Sequence, residues 1–569
     1  MLARCVFVCL FVAVLGCRSN SHEKPGKTNG SPKTVSSEDP ITMTPSGTIR
    51  GSWMRTRRGR QFQAYRGIRY AEPPVGELRF QPPKPILQYQ GVVDASKEGP
   101  ACPLPAPPTY YVDEDCLTIN VYTPNNNSTK PLPVIFFIHA GGFYSMTGRS
   151  DLAGPHYLLD RDVVLVTINY RLATLGFLST GDALAPGNNG MKDQVVALRW
   201  VQKNIRAFGG DPGLITITGC SAGSISVMLH MVSPMSKGLF HRGISMSASP
   251  TGKESSRYDM YDLAVKQAEI LNCPSNSSAA IISCLRTKSF KELGDSLPKF
   301  FDQFGFDPVG LWMPVVEREF GQERFLVKDP AESIKAGEMY AVPHMISQTT
   351  DEFFWKAFPV LKNQTLLDTM NNEWERVAPI SFQMSPNISS ENKLKLRQAY
   401  FGDKTLANDD VSTKALGRLY GDSIIGFPVH VMANLMCRHS PQKVFYYEFA
   451  HVGNHSHYEA PTTKKPVGAA HHDDLIYLFT LSYRFPTIEV SDTLDSKLVD
   501  KMTAIWYNFA KYGDPNPVNA SQPELSNLRW PPMTSDVRQY LRIGGDFSVH
   551  EKMFENRFKV WEEIYPQDY

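Results

Sequence analysis

The sequence lacks a charge excess, a basic cluster and a long hydrophobic run in its interior. Its 59 Lys and Arg residues nearly balance 57 Asp and Glu residues, and no basic block is interleaved with aromatic side chains. A nucleic-acid partner is therefore not expected. Internal repeats are not apparent, and no apolar stretch beyond the N-terminal leader is long enough to form a membrane helix. The C-terminus carries no retention or lipid-anchor signal.

The first residues have the pattern of a secretory leader. Arg4 precedes an apolar run from Cys5 to Leu15, which is too short to span a bilayer and is typical of a signal peptide over residues 1–19. The triplet ending at Cys17 also resembles a bacterial lipoprotein cleavage box. Multiple Asn-x-Ser/Thr acceptor sites favour a glycosylated, secreted and soluble product instead. These sites are Asn126, Asn127, Asn276, Asn363, Asn387, Asn454 and Asn519, with a weaker one at Asn29.

Residues 20–45 are rich in Ser, Pro, Thr, Lys and Gly and poor in apolar side chains. This composition predicts a flexible lead-in, because such a segment cannot bury enough apolar surface to fold. We expect residues 46–569 to form one domain, since a large α/β domain with long insertions is the main exception to the usual relation between length and domain count.

Cysteine is scarce, with nine residues in the chain and three of them in the leader. Spacing alone does not decide how the others pair. Two short loops, Cys102 with Cys116 and Cys273 with Cys284, are the economical choice in a secreted chain. Each disulfide would contribute about 2–3 kcal/mol through loop closure. Cys220 would then be a free thiol, as would Cys437.

A serine flanked by glycines is the strongest local signal. The segment Gly219-Cys-Ser221-Ala-Gly223 follows a short apolar strand pattern and precedes an apolar helical pattern. Small residues on both sides let the strand and helix approach closely, which places the serine at an exposed and strained apex. The segment predicts a nucleophile at Ser221, with an ordinary glycine-rich turn as the alternative.

Strand and helix patterns alternate along the first half of the chain, which predicts a mostly parallel sheet wrapped by helices. Strands are expected within 61–80, 113–122, 134–138 and 163–170, with polar and apolar residues alternating in the second, and a helix is expected over 189–206. The run 134–138 ends in His139-Ala140-Gly141-Gly142. Consecutive small residues after a central strand leave backbone N–H groups accessible, as binding of a developing oxyanion requires. A glycine turn without function is the alternative.

Taken together, the motifs resemble those of the type-B carboxylesterase and cholinesterase family of α/β-hydrolases. The resemblance covers about residues 46–565 and implies a central, mostly parallel sheet flanked by helices, with large helical insertions. It also implies serine esterase activity on a small-molecule ester without a cofactor. The matching segments are Tyr70-Ala-Glu-Pro-Pro-Val-Gly76, Glu114-Asp-Cys-Leu117, Phe208-Gly-Gly-Asp-Pro212, Gly219–Gly223, Asn508-Phe-Ala-Lys-Tyr-Gly-Asp-Pro-Asn516 and Trp530-Pro531.

The resemblance implies a catalytic triad in the order serine, acid, histidine. A serine hydroxyl needs a base to take its proton, and the base needs an acid that orients it. By motif register these residues are Ser221, Glu352 and His471. Asp351, next to Glu352, is expected to be a solvated or capping residue. Asp473-Asp474 is expected to orient the backbone after the histidine.

Further roles follow from the same resemblance. The oxyanion donors are expected to be the N–H groups of Gly141, Gly142 and Ala222. Arg79 and Glu114 align with a salt bridge that braces the first disulfide loop. The histidines and acids near His471 could also be viewed as a metal cluster, but their spacing fits no ordinary zinc pattern, so no metal is expected. That cluster comprises His455, His457, His471, His472, Asp473 and Asp474.

Four positions depart from the family pattern. Cys220 replaces the usual glutamate before the nucleophile, which removes a buried negative charge near the base. Ala140 replaces the first glycine of the oxyanion loop, and His472 stands where a small residue is usual. Phe353 replaces the glycine after the acid and is the departure expected to disturb the triad geometry most.

The leading hypothesis is a secreted serine esterase that acts through an acyl-enzyme intermediate. A choline-ester hydrolase is the first alternative, but the loop 102–116 lacks the tryptophan that holds a quaternary ammonium, although Tyr110 or Tyr111 could substitute. A non-catalytic adhesion protein on the same scaffold is the second alternative, and the complete triad argues against it. Residues 552–564 predict a C-terminal helix that packs on its own molecule or, alternatively, forms a homodimer.

Overall fold

The computed structural model describes residues 38–124, 130–253, 255–385, 387–518 and 522–569. The predicted leader and most of the predicted lead-in lie outside the described residues. So do the candidate glycosylation sites at Asn29, Asn126, Asn127 and Asn519. In the described residues the side chains of Asn276, Asn363, Asn387 and Asn454 are exposed.

The described strands form two sheets. The smaller sheet has the order β1-β2-β5, and the larger has eleven strands in the order β14-β13-β12-β11-β10-β9-β7-β8-β6-β4-β3. The strands are β1 (Ile41–Thr44), β2 (Gly47–Arg50), β3 (Ser52–Arg55), β4 (Gln61–Arg69), β5 (Val92–Asp94), β6 (Thr118–Pro124), β7 (Leu132–Ile138), β8 (Val164–Ile168), β9 (Gly210–Cys220), β10 (Arg242–Met246), β11 (His344–Thr349), β12 (Val444–Phe449), β13 (Gln539–Ile543) and β14 (Phe547–Glu551).

Helices cover both faces of the large sheet, which makes the chain an α/β protein. The described α-helices are α1 (Ala173–Phe177), α2 (Asn189–Asn204), α3 (Ala222–Val232), α4 (Tyr261–Ile270), α5 (Ser278–Thr287), α6 (Phe290–Asp295), α7 (Pro330–Lys335), α8 (Ala357–Lys362), α9 (Gln364–Asn372), α10 (Trp374–Ser381), α11 (Ser390–Phe401), α12 (Asp410–Gly421), α13 (Phe427–His439), α14 (Leu494–Tyr512) and α15 (Glu555–Ile564). A π-helical segment, Asp422–Gly426, joins α12 to α13.

The centre of the large sheet is parallel. Strand β7 pairs in parallel with β8 and β9, and parallel pairing continues from β9 through β10, β11 and β12 to β13. Both β7 and β8 are buried over their whole length, as expected for strands covered on both faces. Because these strands run in the same direction, the loops that follow β7, β9 and β11 meet at one edge of the sheet.

Two sequence-based expectations were wrong in detail. The strand expected within 113–122 is β6, and all its residues are buried instead of alternating between buried and exposed. Its two edges pair with β4 and β8 inside the sheet, and both of its faces are covered as well, because every residue of the strand is buried. The ordered chain also begins before residue 46, because Ile41–Thr44 pairs with Gly47–Arg50 as an antiparallel hairpin. Main-chain pairing orders this segment although its composition is polar.

Both predicted disulfides are present. Cys102 is bonded to Cys116 and Cys273 to Cys284, and Cys220 and Cys437 are free thiols. Beside the first disulfide loop, Arg79 and Glu114 form a buried ion pair with an Nε–Oε1 distance of 2.6 Å. Arg79 also donates to the backbone oxygens of Leu285 and Arg286 at 3.3 and 3.1 Å.

The C-terminal helix α15 packs against the body of its own molecule. The rings of Phe558 and Trp561 lie 6.2 and 5.9 Å from the ring of Phe427 in α13. Both residues are completely buried. The oligomeric state, including a homodimer through this helix, stays a prediction. No helix in the described part of the chain is both long and apolar enough to cross a membrane.

Replacing Arg79 with methionine should lower the free energy of unfolding by about 3–5 kcal/mol, because it leaves the Glu114 carboxylate buried without its ion-pair partner. Arg50→Met is the matched control. Arg50 and Asp94 form an exposed pair, with side chains 44% and 52% accessible, and such pairs contribute about 0–1 kcal/mol. Urea unfolding of both variants checks this, and equal losses would contradict a structural role for the buried pair.

Candidate active site

A tight turn between β9 and α3 presents Ser221. Its backbone has φ 57° and ψ −120°, outside the regions that side-chain-bearing residues usually adopt. Two close approaches require glycine around it. A Cβ on Gly219 would lie 2.4 Å from the backbone of Gly223, and one on Gly223 would lie 2.1 Å from the oxygen of Ile138. The amide of Ser221 donates to the oxygen of Met246 at 2.8 Å, which anchors the turn to β10.

The glycine-rich loop follows β7 at the same edge of the sheet. Gly141 and Gly142 have φ values of 110° and 59°, which glycine adopts without strain. Within the described residues their N–H groups donate to no acceptor. Gly142 and Ala222 line the cavity that contains Ser221. Ala140 is buried beneath the loop, so its methyl group stays away from the cavity surface.

Glu352 and His471 come from loops 119 residues apart and form a direct hydrogen bond. His471 Nδ1 lies 2.5 Å from Glu352 Oε2. Both side chains are buried. The second oxygen of Glu352 accepts from the amide of Thr349 at 2.8 Å, which fixes the carboxylate against the end of β11. His471 Nε2 is buried and has no hydrogen-bond partner in the described part of the chain.

Asp351 joins the acid loop to the histidine loop, because it caps the backbone of Ala469. Its amide donates to the oxygen of Ala469 at 3.0 Å, and its carboxylate accepts from the Ala469 amide at 3.2 Å. Burial raises the pKa of Asp351 to about 6.

Asp473 holds the histidine loop as well, because its carboxylate accepts from the amides of Ala470 at 2.9 Å and His457 at 2.8 Å.

The acidic and thiol groups beneath the site are buried together. Burial, followed by the negative charges of Asp474 and Glu352, raises the pKa of the Cys220 thiol well above its ordinary value. Cys220 is therefore an uncharged thiol at neutral pH. Burial, then the charges of Glu352 and Asp473, raises the pKa of Asp474 to about 7. Cys220 and Asp474 thus release their protons at a higher pH than the same groups would in water.

A cavity of about 280 Å³ opens beside Ser221. Most of its wall is apolar, and much of it comes from the segments between 248 and 314 and from the π-helical segment before α13. The apolar lining residues are Phe143, Ala222, Ile225, Leu229, Ala248, Met260, Val309, Leu311, Met313, Leu326, Phe353, Ile424 and Ile425. Lys253 and Arg257 belong to the same wall, and the guanidinium of Arg257 forms an ion pair with Asp262 at 2.6 Å.

The proposed members of a metal cluster have other partners. His457 Nδ1 lies 3.1 Å from Asp473, and His471 is bonded to Glu352. Within the described ranges, no group of three or more His, Cys, Asp and Glu side chains has an arrangement that could hold a metal ion.

Sequence reasoning missed the side chains that surround His471. The ring of Phe353 lies 4.5 Å from the imidazole, and the ring of His472 lies 4.0 Å from it. Behind Phe353, Lys356 forms a buried ion pair with Asp307. None of these contacts has a periodic signal in the sequence. Only the departure of positions 353 and 472 from small residues marked them as unusual.

The sheet topology and the serine turn at its carboxyl edge define an α/β-hydrolase. The sequence profile of the Carboxylesterase family matches residues 38–561. The chain therefore belongs to the carboxylesterase family and is a carboxylic ester hydrolase, which confirms the predicted family and fold.

Several relatives are similar over most of their length. Juvenile hormone esterase of Tribolium castaneum is 36% identical over 512 residues, covering 86% of this chain and 85% of the relative. Esterase FE4 of Myzus persicae is 37% identical, with 85% and 86% covered. Pyrethroid hydrolase Ces2e of Rattus norvegicus is 32% identical, with 93% and 91% covered. A crystal structure of juvenile hormone esterase from Manduca sexta, with OTFP covalently attached, has a TM-score of 0.80 at 27% identity and covers 93% of this chain and 100% of that one.

The raised pKa of Asp474 predicts a pH-dependent loss of stability. The folded state keeps this proton up to about pH 7, whereas the unfolded chain releases it near the ordinary value of about 3.9. The free energy of unfolding therefore decreases as the pH rises from about 4 to about 7. Asp474→Asn should gain a few kcal/mol relative to wild type over that interval, at about 1.4 kcal/mol per pKa unit. Urea unfolding at both pH values checks this, and parallel stability curves would contradict it.

Proposed function

We propose that the chain is a secreted serine esterase in which Ser221, His471 and Glu352 form the catalytic triad. The hydrogen bond between His471 Nδ1 and Glu352 carries the proposal. A histidine that donates from Nδ1 to a carboxylate presents its unprotonated Nε2 as a base. This nitrogen is buried and has no hydrogen-bond partner among the described residues. Phe353 connects the two parts, since it contacts His471 and lines the cavity beside Ser221.

In the proposed mechanism, Ser221 Oγ attacks the ester carbonyl carbon while His471 Nε2 takes the hydroxyl proton. The carbonyl oxygen becomes an oxyanion, which accepts hydrogen bonds from the amides of Gly141, Gly142 and Ala222. Such donors stabilise the transition state because they are fixed before charge develops. Glu352 stabilises the imidazolium that forms.

Collapse of the tetrahedral intermediate breaks the bond to the alcohol oxygen, which leaves with the proton from His471. An acyl group then remains on Ser221. A water molecule gives a proton to His471 and attacks this acyl carbon. The second tetrahedral intermediate releases the carboxylic acid, and His471 returns the proton to Ser221. No cofactor takes part in these steps.

The cavity supports a neutral, largely apolar ester as the substrate class. Aliphatic side chains such as Leu229, Leu311 and Ile425 form its walls, and its volume is about 280 Å³. A cavity of this kind binds by removing apolar surface from water. The relatives named for juvenile hormone and pyrethroid hydrolysis are consistent with this class.

Secretion is part of the same proposal. The signal-like leader, the Asn-x-Ser/Thr sites and the two disulfides support an oxidising compartment, because disulfides are rare in reducing ones.

Ser221→Ala should reduce hydrolysis of a short-chain nitrophenyl ester by about 10⁴–10⁶-fold, because the attacking oxygen is removed. Ser224→Ala is the matched control. Its hydroxyl lies one turn into α3 and donates to the oxygen of Ala248 at 2.7 Å, so its removal should leave the rate within a few-fold. Steady-state kinetics on both folded variants measures this. Equal hydrolysis by wild type and Ser221→Ala would overturn the proposed role of Ser221. Failure of an organophosphate probe to label Ser221 in the folded protein would favour the non-catalytic alternative.

A neutral thioester should be preferred over acetylthiocholine of equal acyl length. Tyr110 stacks against Arg149, whose guanidinium lies 5.1 Å from its ring, and Tyr111 is exposed. Neither is among the described residues that line the cavity. Loss of a cation–π contact of about 1–2 kcal/mol corresponds to about tenfold in affinity, and the ammonium of Lys253 in the cavity wall adds repulsion. The ratio of kcat/KM values measures this, and a choline preference would contradict it.

A further inference from the structure

Two aromatic side chains from separate loops contact the imidazole of His471. The Phe353 ring centroid lies 4.5 Å from it and the His472 centroid 4.0 Å, each at an interplanar angle of 37°. No ring contact between Phe353 and His472 is found in the described part of the chain. The two rings therefore contact different parts of the imidazole. At 1% exposure, His471 is almost completely covered.

Both neighbours adopt backbone conformations that favour glycine. Phe353 has φ 46° and His472 has φ 78°, so both are left-handed. For a side-chain-bearing residue this conformation costs about 1 kcal/mol or more. At these two positions small residues are usual in the family pattern. A β-carbon at each position therefore adds backbone strain, which the contacts of the ring have to offset.

His472 packs a flat ring against His471, and one nitrogen of this ring makes no hydrogen bond. Its Nε2 is buried and has no hydrogen-bond partner in the described ranges. Burial, then the proximity of His471, lowers the pKa of His472 well below its ordinary value. The side chain is thus a neutral aromatic surface. Leaving one ring nitrogen without a partner costs free energy, so hydrogen bonding through this atom does not explain the residue.

The rings of Phe353 and His472 each pack against a further aromatic side chain. Phe353 packs against Trp355 at 6.3 Å, and Trp355 in turn stacks on Tyr458 at 4.6 Å and an angle of 9°. His472 meets the edge of His457 at 5.7 Å. Neither ring can move away from the imidazole without disturbing a second packed residue.

We propose that Phe353 and His472 act as an aromatic bracket that positions the imidazole of His471, a role that rests on the proposed triad. The bracket limits rotation of the imidazole, so that Nδ1 stays on Glu352 and Nε2 stays available to Ser221. The aromatic faces also offer an electron-rich surface to the imidazolium that forms during the reaction. Phe353 has a second role, because it also lines the cavity beside Ser221.

Position 472 gives the cleaner test, since His472 is not among the described residues that line the cavity. His472→Phe keeps the ring and removes the unpaired nitrogen, so activity should stay within about threefold of wild type and the melting temperature should not fall. His472→Ala removes the ring and should lower kcat by about tenfold or more with little change in KM, because a misplaced catalytic group costs up to about 10²-fold.

At position 353, Phe353→Ala keeps a β-carbon on the same left-handed backbone and removes only the ring. We expect at least a tenfold loss in kcat and, because the cavity widens, a changed KM. Phe354→Ala is the matched control. The ring of Phe354 contacts Phe358 at 6.2 Å, and in the described residues it makes no ring contact with His471, so activity should be retained.

Two readouts separate positioning from a general loss of structure. The first is the rate of covalent labelling by a small organophosphate, which reports activation of Ser221 without filling the cavity. The second is the downfield proton resonance of the bond between His471 Nδ1 and Glu352. Both should weaken in the two alanine variants and persist in His472→Phe and Phe354→Ala.

The outcomes distinguish the bracket from the proposed function. If wild type labels and hydrolyses esters while both alanine variants match it in rate and resonance, the bracket is wrong and the triad stands. Loss of activity in His472→Phe equal to that in His472→Ala would also overturn the bracket. If His471→Ala hydrolyses as fast as wild type, the proposed triad itself fails.

Discussion

The site depends on the parallel direction of the central strands. Ile138 in β7 pairs with Gly219 in β9, which pairs with Ser245 in β10, and Ser245 pairs with Ile346 in β11. These residues form one row across the sheet near the carboxyl ends of their strands. The glycine loop, the serine turn and the acid loop therefore start at almost the same height. A one-residue change of register would reverse the face to which each side chain points.

Local sequence patterns predicted the serine turn and the glycine loop, which begin next to this row of residues. The glycines around Ser221 and the apolar run before Gly141 have mechanical reasons that act within a few residues, so the strand, turn and helix could be predicted there. Helix α2 ends at Asn204, two residues before the predicted end. In contrast, burial of β6 on both faces depends on core residues distant in sequence. The hairpin at Ile41–Thr44 depends on a partner strand, which composition does not reveal.

Contacts around His471 were less predictable, because they join segments far apart in the chain. Motif register alone suggested Glu352, and the contact with His471 spans 119 residues. Asp351 was expected to be a solvated or capping residue, and the backbone that it caps is that of Ala469 in the distant histidine loop. Phe353 was expected to disturb the site because it replaces glycine. The structure accommodates the phenylalanine in a left-handed conformation and packs its ring against the imidazole.

The charged groups beneath the proposed triad are consistent with these packing contacts. An imidazolium forms during ester hydrolysis and needs negative charge or polarisable surface nearby. Position 220 cannot supply charge, because burial and the acids around it keep the thiol protonated. Asp474 is half neutral near pH 7, since its pKa is raised to about 7. Glu352 is then the charged group in contact with His471, and the rings of Phe353 and His472 supply the rest of its surroundings. Aromatic rings and one charged carboxylate, that of Glu352, are thus the groups that contact the histidine in this chain.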